Sequence, residues 1–477
     1  MGWPGGGPGN LQRPGPSGGL VLQPASETIT ACFSIASPAC GACEPYLPLI
    51  ASALAPTAAA SHTMTPLERR ASTSLASIYA LRMLGLFLVL PVLALEARKY
   101  PGGEDPALIG VAMGIYGLTQ ALLQMPFGIA SDRLGRKRVI IAGLLVFAAG
   151  SFMAASAHSL GWLIAGRALQ GAGAVSAAVT ALLADQTRDE VRTKALALVG
   201  ASISVVFALS LVMSPLLLAH IGLAGLFAMT GGLALAGVAV VIWWVPPEPS
   251  KQVRAPHGRI RDGLREVLRD PALLRLDFGV FVLYAVQLAM WMAVPALLVR
   301  AGLSNDRHWQ VYLPAVLGSF VVMGVTLFPL EKRGYLRAVF LASVALVAGV
   351  QAALYWIAAS TPGVVALAAL LFLFFCGFNV LEASQPSMAS RAAPAHLRGA
   401  ALGVYNTLQS LGLFAGGLAG GWLVKHVGPQ GLFAVCAGGM LLWLLVAWPM
   451  RAQAATLPKA VSGAAPDPAT HPAPNAG

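Results

Sequence analysis

The chain has 477 residues, 57% of them hydrophobic and 10% charged, with a formal net charge of +12. Soluble domains carry about 25% charged residues, so this composition and a mean hydropathy of +0.72 exclude a soluble globular protein. The positive charge does not indicate nucleic-acid binding, because Lys and Arg lie in short stretches between long apolar runs.

Residues 1–63 are rich in Gly, Pro, Ala and Ser, a composition that predicts disorder, and they lack the basic start and compact apolar core of a signal peptide. Met64-Thr-Pro-Leu-Glu-Arg-Arg70 reads as a start just before the first apolar run, so 1–63 are expected to be disordered or an over-extended reading of the gene. Cys32, Cys40 and Cys43 fall in this stretch. One CxxC pair without a second pair or a histidine is weak evidence for zinc or redox chemistry, and no metal or other cofactor is expected. Cys376 and Cys436 sit in apolar runs and read as packing residues.

About 20 apolar residues cross the hydrocarbon core of a bilayer. Twelve such segments follow, near 75–97, 106–130, 138–158, 160–185, 193–218, 222–245, 273–299, 309–330, 335–358, 363–390, 398–424 and 429–450. The expected fold is an all-α membrane protein of twelve transmembrane helices in two six-helix halves, 64–245 and 273–450. Residues 246–272 form a cytoplasmic linker and 451–477 a disordered cytoplasmic tail.

Arg82 lies about two turns into the first segment, roughly 10 Å from its inner end at about 1.5 Å per residue. It reads either as a snorkelling arginine or as an arm reaching a central cavity. In the second segment Tyr116, Gln120 and Gln124 recur every four residues on one face. Between the second and third segments stands a dense knot of charge, Asp132-Arg133-Leu-Gly135-Arg136-Lys137-Arg138, preceded by Gly128. Its glycines suit a tight turn, and its four cations hold the hairpin on the cytoplasmic side. Asp132 is placed to meet the positive N-terminal end of a helix from the other half. Arg133 or Arg136 can reach Asp185 at the inner end of the fourth segment.

Arg167 sits in Gly166-Arg-Ala-Leu-Gln170-Gly171-Ala-Gly173, two turns in from the outer end of the fourth segment and beside small residues suited to close helix packing. An arginine does not release a proton at working pH; its expected role is to act on a nearby carboxylate. In the fifth segment Met213-Ser-Pro215 keeps a proline kink. The linker carries Lys251, Arg254, Arg259, Arg261, Arg265 and Arg269, and 259–268 suits a basic surface helix on anionic lipid or a topology-fixing connector.

In the seventh segment Tyr284, Gln287 and Trp291 share one side, and Asp277 near its start reads as interfacial. The tenth segment holds the deepest acid, Glu382, with Asn379 and Gln385 at three-residue spacing. A charged group inside a span costs about 2.5–3.5 kcal/mol on insertion scales, and a lone carboxylate in a low-dielectric cleft is suited to proton exchange. Glu382 is therefore the expected proton-carrying site, with Arg167 and Arg82 as further coupling candidates. The eleventh segment contributes Tyr405, Asn406 and Gln409. These polar stripes face protein or water rather than lipid, although for any one residue packing outweighs ligand contact.

From residue 64 on, 22 Lys and Arg fall on the side expected to be cytoplasmic against five in outer loops, Arg98, Lys99, Arg300, Arg307 and Lys425. Both termini are expected inside. The halves echo one another: Pro91 and Pro295 lie 204 residues apart, Arg192 and Arg398 lie 206 apart, and Asp132 and Glu331 lie 199 apart. A repeat of two six-helix halves is a transporter architecture with its substrate site at mid-membrane. There is no GxxxxGK[ST] loop and no catalytic constellation, so neither ATP-driven transport from this chain nor an enzyme is expected.

The 127–140 stretch resembles motif A of the major facilitator superfamily at Gly128, Asp132, Arg133, Gly135, Arg136 and Lys137, with Ala130 where the signature prefers Leu. Gly166–Gly173 resembles the superfamily's motif B, whose arginine is associated with proton coupling. The runs Met64–Arg70, Leu81–Gly85, Val89–Leu93 and Gly114–Gln120 are similar to the start of YajR-type drug:proton antiporters, and the similarity spans about 64–450. The resemblance implies that Asp132 meets the eleventh helix and that the motif A cluster latches the cytoplasmic side shut in the outward-facing state. It also implies a monomer in a bacterial inner membrane, exchanging protons for small amphipathic or cationic compounds by alternating access. The fifth segment departs from the antiporter pattern, having no Gly-Pro and no following glycines. The alternatives are a uniporter or importer of a polar metabolite, or a membrane sensor that does not transport.

Overall fold

The computed structural model describes residues 63–248, 260–360, 363–394 and 397–450. The expectations for 1–62, for most of the linker and for 451–477 lie outside the described residues. Among the described residues ten helices are long and apolar enough to cross a membrane.

Helix α1, Pro66–Glu96, opens with a capping box. The Thr65 hydroxyl accepts from the Glu68 amide and the Glu68 carboxylate accepts from the Thr65 amide, with Pro66 in the first turn. Helix α2, Pro106–Leu134, opens on a simple N-cap, with the Asp105 carboxylate accepting from the Ala107 amide and Pro106 at the first position. Gly135 alone separates α2 from α3, Arg136–Ala155, and takes φ 104°, which a side chain would resist. The fourth crossing, α4, is broken at residues 173–175 into Leu160–Ala172 and Ser176–Asp185.

Two helices run on for far more than a bilayer's width. Asp189–Trp243 has 55 residues and Arg398–Ala447 has 50, and each contains one non-helical glycine, Gly222 at φ 66° and Gly428 at φ 70°. The chain doubles back at each. Ser202 and Phe207 contact Ala76 and Phe87 going up α1, whereas Thr230 and Trp244 contact Gly85 and Arg70 coming down it. Likewise Gly412 and Gly416 lie against Phe281 and Ala285, and Trp443 lies back at Gly279. The arms 189–221 and 223–243 are α5 and α6.

After the short helix Ile260–Val267 come α7, Pro271–Arg300; α8, Trp309–Lys332; α9, Leu336–Ala359; and α10, Val364–Ala392. The arms 398–427 and 429–447 are α11 and α12. Counted this way the described residues make twelve apolar crossings, in the order and near the places expected.

Helix α7 is the most enclosed, with Leu276, Val280, Leu283, Leu288, Leu297 and Leu298 all at 2% exposure or less. The outward faces carry exposed Val205, Val321, Val325, Trp356 and Leu445. In a soluble protein such faces would be a liability; here they meet acyl chains. The short helix is no free surface helix: Leu264 and Val267 pack with Leu273, Ala393, Leu397 and Val404 near the start of α11.

Helices α2 and α11 are pressed backbone to backbone at the end that carries Asp105. A Cβ on Gly110 would stand 2.1 Å from the Gly417 carbonyl oxygen, so the helices approach this closely only because both positions are glycine. The seam runs from Pro106 against Gly421 to Gly117 against Ser410. Lys425 clamps its end by donating to Asp105 at 2.8 Å. At the opposite end, which carries Gly135, Gly399 and Gly403 of α11 face open space.

Candidate functional site

The expected site residues fall into three groups at different heights. At the Gly135 end, Arg136 bridges two carboxylates, Asp132 at 2.6 Å and Asp185 at 3.1 Å, and also donates to the Ser131 hydroxyl at 2.8 Å. Asp132 sits on the last turn of α2, where the helix dipole disfavours an anion, so it is held by a cation one turn on. Its side chain is 63% exposed. It thus meets α3 of its own half here, and not the start of α11. Lys137 donates to the Val245 carbonyl and its amide donates to Glu248, tying the hairpin to the end of α6. Arg133 is exposed; Gly128 lies beside Ala177 of α4.

The second group is deep in the first six helices. The capping box starts α1 at Pro66, nine residues before the expected 75, so Arg82 lies 16 residues in, roughly 24 Å along the axis. That depth corrects both readings of Arg82. It neither snorkels nor reaches an open cavity, being 1% exposed. It donates to the Ser176 hydroxyl, the Tyr116 hydroxyl and the Gln120 amide oxygen, and lies over the Phe147 ring.

Gln120 also donates to Ser410 of α11, so this cluster touches the second set of six helices. Gln124, one turn along, is buried with its amide oxygen unpartnered. Arg167 is likewise 1% exposed, but its partners are the Ala112 and Met113 carbonyls and Gln170, with the Tyr116 ring beneath it. The expected neighbouring carboxylate is not among its described partners. Carbonyls reach Arg167 because Gly171 lets α4 lie against the α2 backbone at Tyr116.

The third group lies between α7, α10 and α11. The Tyr284 hydroxyl of α7 donates to Glu382 of α10 at 2.8 Å, and Gln409 of α11 is beside the same hydroxyl. Asn379, Glu382 and Gln385 do not converge as one face. Three-residue steps fall about 60° short of a full turn, so the three fan out. Asn379 donates to Ser319 of α8, Glu382 meets α7, and Gln385 accepts from Tyr405 of α11. Asn379 and Trp291 are buried in helix packing, Trp291 edge-on to Tyr312. Gln287, Asn406 and Gln409 are half-buried.

Asp277 is the residue that the sequence reading misplaced. It is 2% exposed, not interfacial, with Oδ2 unpartnered, because α10, α11 and α12 cover the start of α7. Its position seven residues before Tyr284, hence on the same face of α7, was the available signal. A second missed feature is the forked pair between Arg188 and Glu68, at 2.8 and 3.1 Å, which joins the starts of α5 and α1.

A profile described as Major Facilitator Superfamily matches residues 75–417. The chain is 42% identical over 392 residues to the inner membrane transport protein YajR of Escherichia coli K12, covering 82% of this chain and 85% of that protein. It is 26% identical over 357 residues to the multidrug resistance protein MdtH of Aeromonas salmonicida, covering 73% and 86%. The human organic anion transporter MFSD10 has the same fold, with a TM-score of 0.61 at 20% identity over 80% of this chain and all of that one. The chain is therefore a membrane transporter of the Major Facilitator Superfamily.

Proposed function

We propose that the protein is a proton-coupled exporter of small amphipathic or cationic compounds in a bacterial inner membrane, with both termini cytoplasmic, working as a monomer by alternating access. The observation that carries the reading is the Tyr284–Glu382 pair, a carboxylate held between α7 and α10 with no cation recorded against it among the described residues. An ionised group inside a span is costly, so a carboxyl in such a place is suited to carry a proton and to release it only where it meets water, which is what coupling needs. The names of the YajR and MdtH relatives, an inner membrane transport protein and a multidrug resistance protein, support location and substrate class.

In this reading half-buried Gln120 lies on one wall of the substrate path, with Arg82 and Tyr116 packed behind it. Tyr284, Gln287, Asn406 and Gln409 shape the other. The seam at Asp105 is the closed outer gate. The charge cluster at Asp132, Arg136 and Asp185 is the inner latch in its released form. The test is to energise everted membrane vesicles, add cationic, neutral and anionic compounds in turn, and follow internal pH with a dye. Proton efflux on adding cationic or amphipathic compounds, absent from Glu382→Gln, is the expected outcome. Transport of a compound with no proton movement contradicts the reading.

A further inference from the structure

The glycine seam of α2 and α11 is matched by an aromatic contact between the two sets of six helices. Phe207 of α5 meets Phe87 of α1 edge-on, with ring centres 5.0 Å apart, and reaches across to Phe375 of α10 at 6.1 Å. Both separations lie in the range at which ring edges and faces attract. Phe375 is 2% exposed, whereas Phe87 and Phe207 are half-buried.

The height of this contact follows from the helices. Gly412, Gly416 and Gly420 of α11 rise toward the Asp105 end beside Phe281, Ala285 and Ala289 of α7, so α7 ends there. Arg300, the last residue of α7, donates to the Ala358 and Ser360 carbonyls, so α10 starts at the same end. Phe375 stands seven residues before Glu382 and is therefore about two turns, roughly 10 Å, nearer the Asp105 end. Steps of three and four put Phe375, Phe378 and Glu382 on one face of α10. Phe378 lies edge-on to the Tyr284 ring at 5.8 Å, and the Tyr284 hydroxyl donates to Glu382. Toward the Asp105 end, the helix face that carries the acid thus presents phenylalanine rings, which offer water no hydrogen-bond partner. A constriction lined by such groups closes by dewetting.

We propose that Phe207, closed on Phe375, is the plug that keeps water at the Asp105 end from reaching Glu382 while the Gly135 end is open. The inference rests on the reading of Glu382 as the coupling site. The seam closes the gap between α2 and α11; Phe207 closes the one between α5 and α10. An acid that meets water on one side at a time needs both shut together, since a breach at either would let protons pass without substrate.

The test reads access rather than proton flow. The full-length protein, its native cysteines replaced, carries Gln409→Cys as a half-buried reporter beside Tyr284, and a cysteine pair at 105 and 425 is oxidised to hold the seam shut. In sealed liposomes of known orientation, a charged, membrane-impermeant thiol reagent is added to one side at a time. With Phe207 in place, labelling is expected from the Gly135 side only. Phe207→Ala is expected to speed labelling from the Asp105 side by about tenfold or more, and Phe207→Leu, which keeps apolar bulk, far less. Phe375→Ala opens the same gap from its other wall and carries the test if Phe207→Ala does not fold. Labelling from the Asp105 side with Phe207 intact, or none from that side in the folded alanine variants, overturns the plug and leaves the proton reading standing. In the protein without the added cysteines, Phe207→Ala is also expected to leak protons in the absence of substrate, and Glu382→Gln to remove that leak. Faster labelling without such a leak keeps the plug and counts against Glu382 as the coupling site.

Discussion

At the residue scale, Tyr284 gives Glu382 its one recorded hydrogen bond. Tyr284→Phe keeps the ring and removes the donor, so proton coupling is expected to weaken while membrane insertion is unchanged; vesicle pH traces beside a membrane blot check it. Arg82 poses a different problem. Three acceptors from α2 and α4 surround its fork. A lysine cannot match that geometry. Arg82→Lys is expected to cost about 1–3 kcal/mol through acceptors left unpaired, read as a lower melting temperature of the detergent-solubilised protein. The sequence marked Arg82 and Glu382 as costly inside a span, but it could not assign partners, because those come from helices 34 to 98 residues away. Asp277 was misjudged since distance from a helix start says nothing about which neighbours cover it.

At the element scale, the α2–α11 seam depends on glycine. Gly110→Val would drive branched carbons into the α11 backbone at Gly417. It is expected to open the Asp105 end, seen as lost cross-linking between cysteines placed at 105 and 425. The Asp105–Lys425 bridge adds a pH dependence. The Lys425 ammonium, and after it the Ala107 amide, hold the Asp105 carboxyl below its usual pKa of 3.8. A depressed pKa stabilises the closed seam above the ordinary carboxylate range and loses that contribution as pH falls through the lowered value. Closure is therefore expected to be flat across neutral pH and to weaken only in strong acid. The helices themselves were legible from apolar runs, caps and prolines. The seam was not, since nothing in the sequence pairs Gly110 with Gly417 until the fold sets them face to face.

At the scale of the whole molecule, the two sets of six helices press backbone to backbone at the Asp105 end, while at the other end Asp132 is exposed and Gly399 and Gly403 of α11 face open space. Alternating access asks for the reverse arrangement as a second state of similar energy. Asp132→Asn is expected to abolish transport while leaving insertion and the Asp105 seam intact, because it removes a contact needed only when the Gly135 end closes. Normal substrate flux by that variant would count against the latch.

The central claim is that Glu382 couples proton movement to substrate movement, and purified protein in liposomes tests it most directly. A substrate found in the vesicle screen would be followed in two modes: uphill accumulation driven by an imposed proton gradient, and one-for-one exchange with no gradient. Glu382→Gln is expected to lose accumulation yet retain exchange, since the path survives and only the proton site is gone. Uphill accumulation by Glu382→Gln at the wild-type level would contradict the account.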